Sequence, residues 1–177
     1  PNAIGEYETV INKQHIGLGH TRLSILDLSE KGNQPFVSDD TTIQLVYNGE
    51  IYNFQELKES YLQNESFKSD TDTEVILKLY QQKGLAFLEL LNGDFSIAIL
   101  DKNKNKLFLI RDRAGVKPLY YSNQNKELVF GSEIINGYIP LALQDPDPFK
   151  MFSKNKGMVI LNDKPWNIEA QTHLLDD

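Results

Sequence analysis

The sequence predicts an α+β domain, on three observations. Apolar residues recur with partial alternation in 15–29 and 41–48, take helical spacing over 54–63 and 73–83, and return to strand-like runs from Gly93 to Glu133. The later strands follow one another across short polar turns instead of alternating singly with helices, which favours antiparallel sheet with helices packed on it. Of the 177 residues, 40% are apolar and 10% aromatic, enough to fill the core of one domain of ordinary size.

The first strand is read in HIGLGHTRLSILDLS (15–29), and SEKGNQPFVSDD closes it as a loop. A second strand covers 43–48. Asn53 stands three residues before Glu56 and just ahead of FQELKESYLQ, which is N-cap and N3 chemistry for a helix over 54–63. Thr71 stands three before Glu74, acidic residues crowd the first turn, and Gly84 follows the last periodic residue. A second helix is therefore expected over 73–83, with Val75, Ile76, Leu79 and Tyr80 as its apolar stripe. LAFLELLNG reads as a short helix stopped by Asn92-Gly93. Strands are expected at 94–100, 107–111 and 128–132, with KPLYYS between the last two, in two stacked antiparallel sheets with the helices outside. Beyond Glu133 the tail is rich in proline, holds the only tryptophan, Trp166, and has too few consecutive apolar residues for its own core. Residues 1–134 are expected to form the domain, and 135–177 a linker and the opening of an unrelated one.

Charge and composition exclude several functions. Eighteen basic against 25 acidic residues leave a formal charge of −7, with no basic face for a phosphate backbone, so nucleic acid is not an expected partner. No run of 18 or more apolar residues exists, and PNAIGEYETV has neither a basic n-region nor an apolar h-region. The chain reads as soluble and cytoplasmic, without a membrane partner. It contains no cysteine, which removes disulfides, thiolate metal sites and thiol nucleophiles. His15, His20 and His173 are scattered without a second ligand at metal-site spacing, so no metal is expected. A first residue of proline, Pro1, reads as a processed, trimmed or fragmentary product.

LVYNGEIYNFQEL (45–57) admits two readings. In one, Asn48-Gly49 between apolar runs is a two-residue β-hairpin turn, because both residues tolerate positive φ. In the other, the strand ends at a helix, and the Asn48 side-chain amide and the Gly49 N–H await a developing negative charge.

GHTRLSILDLSEKGNQPF, YNGEIYNFQEL, SDTDTEVILKLYQQKG and RDRAGVKPLYY followed by FGSEI occur in this order. Together they resemble the glutaminase domain of glutamine-hydrolysing asparagine synthetases, a class II glutamine amidotransferase, over about residues 1–134. RLSILDLS points to the asparagine synthetase branch. The resemblance implies the N-terminal-nucleophile hydrolase fold, a four-layer αββα sandwich, here with its first strand missing. It implies hydrolysis of the glutamine side-chain amide, with the ammonia passed to a separate ATP- and Mg-dependent synthetase domain that forms an amide on aspartate. No cofactor is implied for this chain itself.

Arg22 matches the clamp for the glutamine α-carboxylate, and a planar guanidinium suits bidentate carboxylate recognition. Asp72 matches the acid that pairs with the α-ammonium, with Glu50 helping, and it suits first-turn helix electrostatics equally well. Asn48 and Gly49 match the oxyanion hole. The stretch RDRAGVKPLYY matches a structural turn, and Phe95, Ile97, Phe108, Leu109, Tyr120 and Tyr121 are expected in core or sheet.

The family's nucleophile is an N-terminal cysteine whose own α-amine can serve as base, and this chain has none. Asn2 stands where the family usually has aspartate. Ser24, Thr21 and the Pro1 amine do not sit where that chemistry needs a substitute. The match therefore implies a glutamine pocket truncated before residue 1 and inactive alone. GMVILNDKPWNIEAQTHLLDD resembles the opening of molybdopterin-dependent sulfite oxidase-type proteins, which implies a fusion. Three functions follow as candidates: a glutaminase domain serving asparagine synthesis, a glutamine-binding pseudoenzyme, and a non-functional gene-fusion fragment.

Overall fold

The structure, a computed structural model, describes residues 3–11, 13–22, 32–124, 127–133, 158–162 and 167–169. Pro1, Asn2, Ser24, His173 and Trp166 lie outside them, as does the second half of the strand expected over 15–29. A strand unforeseen in the sequence opens the chain: β1 (Ala3–Ile11) pairs antiparallel with β2 (Gln14–Arg22), Ala3 opposite Arg22 and Ile11 opposite Gln14. There follow β3 (Phe36–Val37), β4 (Ile43–Ile51), α1 (Phe54–Tyr61), α2 (Asp72–Lys83) and a 3₁₀ helix over Gly84–Leu90. Then come β5 (Gly93–Asp101), β6 (Lys106–Arg111), β7 (Tyr120–Gln124), β8 (Glu127–Gly131), β9 (Met158–Asn162) and β10 (Asn167–Glu169).

A six-stranded antiparallel sheet, in the order β10-β9-β6-β5-β4-β3, forms the middle layer. Side chains alternate across it, as a pleated strand requires. Leu45 and Tyr47 of β4, Phe95, Ile97 and Ile99 of β5, and Phe108 and Ile110 of β6 pack with Val75, Ile76, Leu79 and Tyr80 of α2. Ala98, Leu100, Leu107 and Leu109 face the other way and pack with Leu18 of the β1–β2 hairpin and Tyr121 of the β7–β8 hairpin. Among the described residues, helices, central sheet and the pair of hairpins are thus three successive layers with two cores, three of the four layers that an αββα sandwich implies. Residues 158–162, within the stretch read as a linker, pair with β6, Leu161 opposite Leu107.

Helix α2 begins as its sequence predicts, with the Thr71 hydroxyl accepting the Glu74 N–H at 3.4 Å, and ends at Gly84 with φ 57°. Its expected stripe is buried, and so is every residue from 71 to 80, because the helix lies between the sheet and the elements around it. Glu74 does not return to Thr71. It accepts from the Lys68 N–H at 3.0 Å and the Ser69 N–H at 2.7 Å, tying down the loop before the helix.

Three expectations need correction. Strand β4 does not stop at Asn48 but runs to Ile51, so Asn48-Gly49 is not a hairpin turn. The extension exists because Gly49, Glu50 and Ile51 pair with Phe95, Asp94 and Gly93, and two glycines allow the close approach. A Cβ on Gly49 would meet the Asp94 carbonyl oxygen and lie 2.7 Å from Phe95 Cα, and one on Gly93 would lie 2.9 Å from Ile51 Cα. Helix α1 ends at Tyr61 rather than Gln63, and Asn53 makes no side-chain cap bond to it. The short helix expected in LAFLELLNG is a 3₁₀ helix over Gly84–Leu90 and ends before Leu91.

Leu45 and Leu109 are fully buried, one in each core. Truncating either to alanine is expected to lower stability by about 2–5 kcal/mol, because transfer and cavity costs add. Urea unfolding of Leu45→Ala and Leu109→Ala measures it, and a loss under about 1 kcal/mol at either position would contradict two packed cores.

Candidate functional site

An antiparallel strand sends the N–H and C=O of alternate residues to opposite neighbours. In β4 the even-numbered residues turn towards β5: the Tyr52 N–H donates to Asn92 O at 2.8 Å, and the Lys102 N–H to Thr42 O at 2.9 Å. Phe95, opposite Gly49, spends both its groups on the far side, since its carbonyl accepts from the Asp112 N–H at 2.7 Å and its N–H donates to Asp112 Oδ2 at 3.2 Å. The odd-numbered residues of β4 therefore point outward, away from β5.

Those outward amides find partners of several kinds. The Ile43 N–H donates to Ser38 Oγ at 2.9 Å, and Leu45 pairs with Phe36 of β3. The Tyr47 N–H donates to Gln34 Oε1 at 2.6 Å and the Ile51 N–H to Asp72 Oδ2 at 3.1 Å. Between the last two lies Gly49, and no described residue supplies an acceptor to its outward N–H. Asn48 and Glu50 alternate to the face opposite Tyr47 and Ile51, and both are exposed.

Asp72 opens α2 with its carboxylate buried on the helix side of β4, 5% exposed. It accepts the Tyr47 hydroxyl at 2.7 Å as well as the Ile51 N–H at 3.1 Å, both on Oδ2. A carboxylate has about four acceptor sites, and these two bonds use those of Oδ2, so Oδ1 can accept a further donor. Burial raises the Asp72 pKa above its ordinary value, and hydrogen bonds to the carboxylate, first that from Tyr47, offset only part of that rise. Burial also raises the Tyr47 pKa, and the neighbouring Asp72 charge adds to it, so the phenol stays a donor. Arg22 is the last residue of β2, opposite Ala3, and its side chain lies outside the described residues.

Two polar clamps that the sequence did not disclose hold the ends of this region. Asn53 donates through Nδ2 to Leu90 O at 3.0 Å and accepts the Asn92 N–H at 3.0 Å, so it clips the chain entering β5 instead of capping α1. Buried Asp112 also accepts the Val116 and Lys117 N–H groups, each at 2.9 Å, while Arg111 Nε donates to Lys117 O at 2.6 Å. RDRAGVKPLYY is therefore a hydrogen-bonded structural loop. Phe95, Ile97, Phe108, Leu109 and Tyr121 are buried as expected. Thr21 is exposed on β2. Among the described residues there is no cluster of three or more His, Cys, Asp or Glu able to hold a metal ion, and no helix long and apolar enough to cross a membrane.

Comparison with known proteins places these features in context. A family profile described as a glutamine amidotransferase domain matches residues 5–145. The chain is 55% identical over 119 residues to an asparagine synthetase [glutamine-hydrolyzing] 2 of Bacillus subtilis, covering 67% of this chain and 16% of that protein. It is 48% identical over 133 residues to a putative asparagine synthetase [glutamine-hydrolyzing] 2 of Methanocaldococcus jannaschii, 67% of this chain and 25% of that one. The chain thus spans a quarter or less of the length of these relatives. A glutamine phosphoribosylpyrophosphate amidotransferase of B. subtilis superposes with a TM-score of 0.62 at 21% identity, over 86% of this chain and 34% of its own. The fold is accordingly the N-terminal-nucleophile hydrolase type.

The raised Asp72 pKa has a consequence for stability. Between the ordinary value of 3.8 and the raised one, the folded chain holds a proton that the unfolded chain has released. The contribution of Asp72 is fully present below the unfolded pKa and is lost as pH rises through the folded one. The stability of wild type relative to Asp72→Asn should therefore be greatest below about pH 4 and fall as pH rises towards neutrality. Urea unfolding of both proteins across that range measures the difference; a difference that grows with pH would overturn the assignment.

Proposed function

The chain belongs to the glutamine amidotransferase domain family, and from that membership we propose that it is a glutaminase domain of the asparagine synthetase type, whose pocket holds glutamine with the side-chain amide at Gly49. One observation carries the reading: along the outer edge of β4, Gly49 is the outward amide without an acceptor among the described residues. A backbone N–H held by a paired strand is a preorganised donor for an oxyanion, and the Asn48 side-chain amide one residue away is the second donor.

The remaining roles follow from charge. Arg22 binds the glutamine α-carboxylate as a bidentate cation. Asp72 offers its Oδ1 to the α-ammonium, and the exposed carboxylate of Glu50 adds negative charge nearby. In this reading residues 1–134 carry the glutamine-binding groups, and β9 and β10 of the stretch beyond them complete the central sheet. Ammonia released from glutamine would serve amide formation on aspartate in an ATP- and Mg-dependent synthetase domain, and this chain itself needs neither ATP nor a metal.

A second reading rests on composition. Amide hydrolysis through a covalent intermediate needs an activated nucleophile, and the 177 residues contain no cysteine. On its own the chain is then a glutamine-binding module without turnover.

Millimolar L-glutamine is expected to shift the Gly49 amide resonance of nitrogen-15-labelled protein. Arg22→Ala should weaken binding roughly 10- to 100-fold, the worth of a charge-assisted pair. Ammonia release should stay at the uncatalysed level. A silent Gly49 resonance would sink the pocket assignment, and enzyme-like turnover would show that another group supplies the nucleophile.

A further inference from the structure

The outward amides of β4 are occupied in a pattern that needs a cause. Strand β3 pairs Phe36 with Leu45 and Val37 with Gln44. Continued one step beyond Pro35, the same register would bring the Gln34 backbone opposite Tyr47, and two further steps would bring Gly32 opposite Gly49. The ladder does not continue that way. The Gln34 carbonyl oxygen is turned instead towards Gly5 of β1, where a Cβ would collide with it, so only glycine leaves room. In place of its backbone, Gln34 sends its side chain to β4: Oε1 accepts the Tyr47 N–H at 2.6 Å and Nε2 donates to Thr73 Oγ1 at 3.3 Å. The residue is buried, so both ends of its amide need these partners.

We propose that Gln34 is a positioning residue for the Gly49 amide: its side chain ends the ladder at Tyr47, ties β4 to the head of α2, and so keeps the next outward N–H open to a ligand oxygen. Asp72 closes the series from the other side by taking the Ile51 N–H. An uncapped edge would present three alternate amides in a row and invite a pairing strand across Gly49. With Tyr47 and Ile51 taken by side chains, a single amide is left without an acceptor among the described residues, which suits one ligand oxygen and not another strand. The inference rests on the reading of Gly49 as the oxyanion-type donor, but its first test needs no ligand.

Native-state hydrogen exchange, read residue by residue by NMR, compares wild type with Gln34→Met, which keeps length and loses both bonds, and Gln34→Glu, which keeps an acceptor for Tyr47. In wild type the Tyr47 and Ile51 amides should exchange on the order of 100-fold more slowly than Gly49. Tyr47 should lose at least about tenfold of that protection in Gln34→Met and regain it in Gln34→Glu. Thr73→Val, which keeps the shape and removes only the Nε2 partner, should speed Tyr47 exchange by a few-fold and gives a reading even if Gln34→Met does not fold. In a second arm, L-glutamate supplies a γ-carboxylate oxygen at the oxyanion position, and its effect on the Gly49 resonance should weaken in Gln34→Met and return in Gln34→Glu. Gly49 protected as strongly as Tyr47, or a glutamate response unchanged in Gln34→Met, would overturn the proposal. Fast Gly49 exchange with no glutamate response even in wild type would instead refute the glutamine-binding reading while supporting the hold of Gln34 on the edge.

Discussion

A strand in an antiparallel sheet has two rows of backbone polar groups, and both rows need partners. In β4 the row facing β5 is filled by a ladder that extends from Ile43 to Ile51, whereas among the described residues the outer row meets a strand only at β3. Everything that gathers around β4 answers that shortage. Ser38 supplies its hydroxyl from the loop before the strand, Gln34 its side-chain amide, and Asp72 its carboxylate from the first turn of α2. The placement of α2 against the sheet is therefore set by hydrogen bonds at its N-terminus as well as by the apolar packing of Val75, Ile76, Leu79 and Tyr80.

Burying Asp72 to serve Ile51 has an electrostatic cost, because desolvation disfavours the carboxylate. The Tyr47 hydroxyl offsets part of it with a bond of 2.7 Å, and the Tyr47 ring belongs to the same core. One side chain thus joins apolar packing to polar satisfaction, and the β4 edge, the head of α2 and the helix-side core become one cooperative unit. The start of β5 is fixed independently, by Asn53 through the loop at 90–92 and by Asp112 from the end of β6. Gly49 sits between these clamps, so its amide direction is held by neighbours on both strands. The far end of the same strand pair is closed by a different polar group: Tyr80 donates to Asp101 at 2.6 Å, and Lys104 pairs with that carboxylate at 3.1 Å.

Features with local causes were legible. Thr71 caps α2 because a hydroxyl three residues before an N–H reaches it in any helix, and Gly84 ends the helix because the chain there takes a positive φ. Strands β5 and β6 were readable from unbroken apolar runs on either side of KNKNK. Features with distant causes were not. Asn53 has the sequence signature of a cap and spends its amide 37 and 39 residues away. Gln34, one glutamine ahead of a proline in a polar loop, carries no local signal that it meets Tyr47 13 residues later. Asp72 was read as a ligand group from its motif, and its partners Ile51 and Tyr47 lie 21 and 25 residues away.

By itself the sequence determined the family, the order of elements from β4 to β8, and the residue types available to a glutamine pocket, because motif order, periodicity and capping are encoded over stretches of a few residues. It could not decide between a turn and a strand at Asn48-Gly49, since both readings satisfy the same local preferences. Only the tertiary structure decided that, by laying Phe95 and Gly93 alongside with no room for a Cβ. It likewise decided which outward amides of β4 are taken and that the Gly49 N–H has no acceptor among the described residues. A hydrogen bond forms only where the fold brings donor and acceptor to about 3 Å, and that distance depends on elements far apart in the chain.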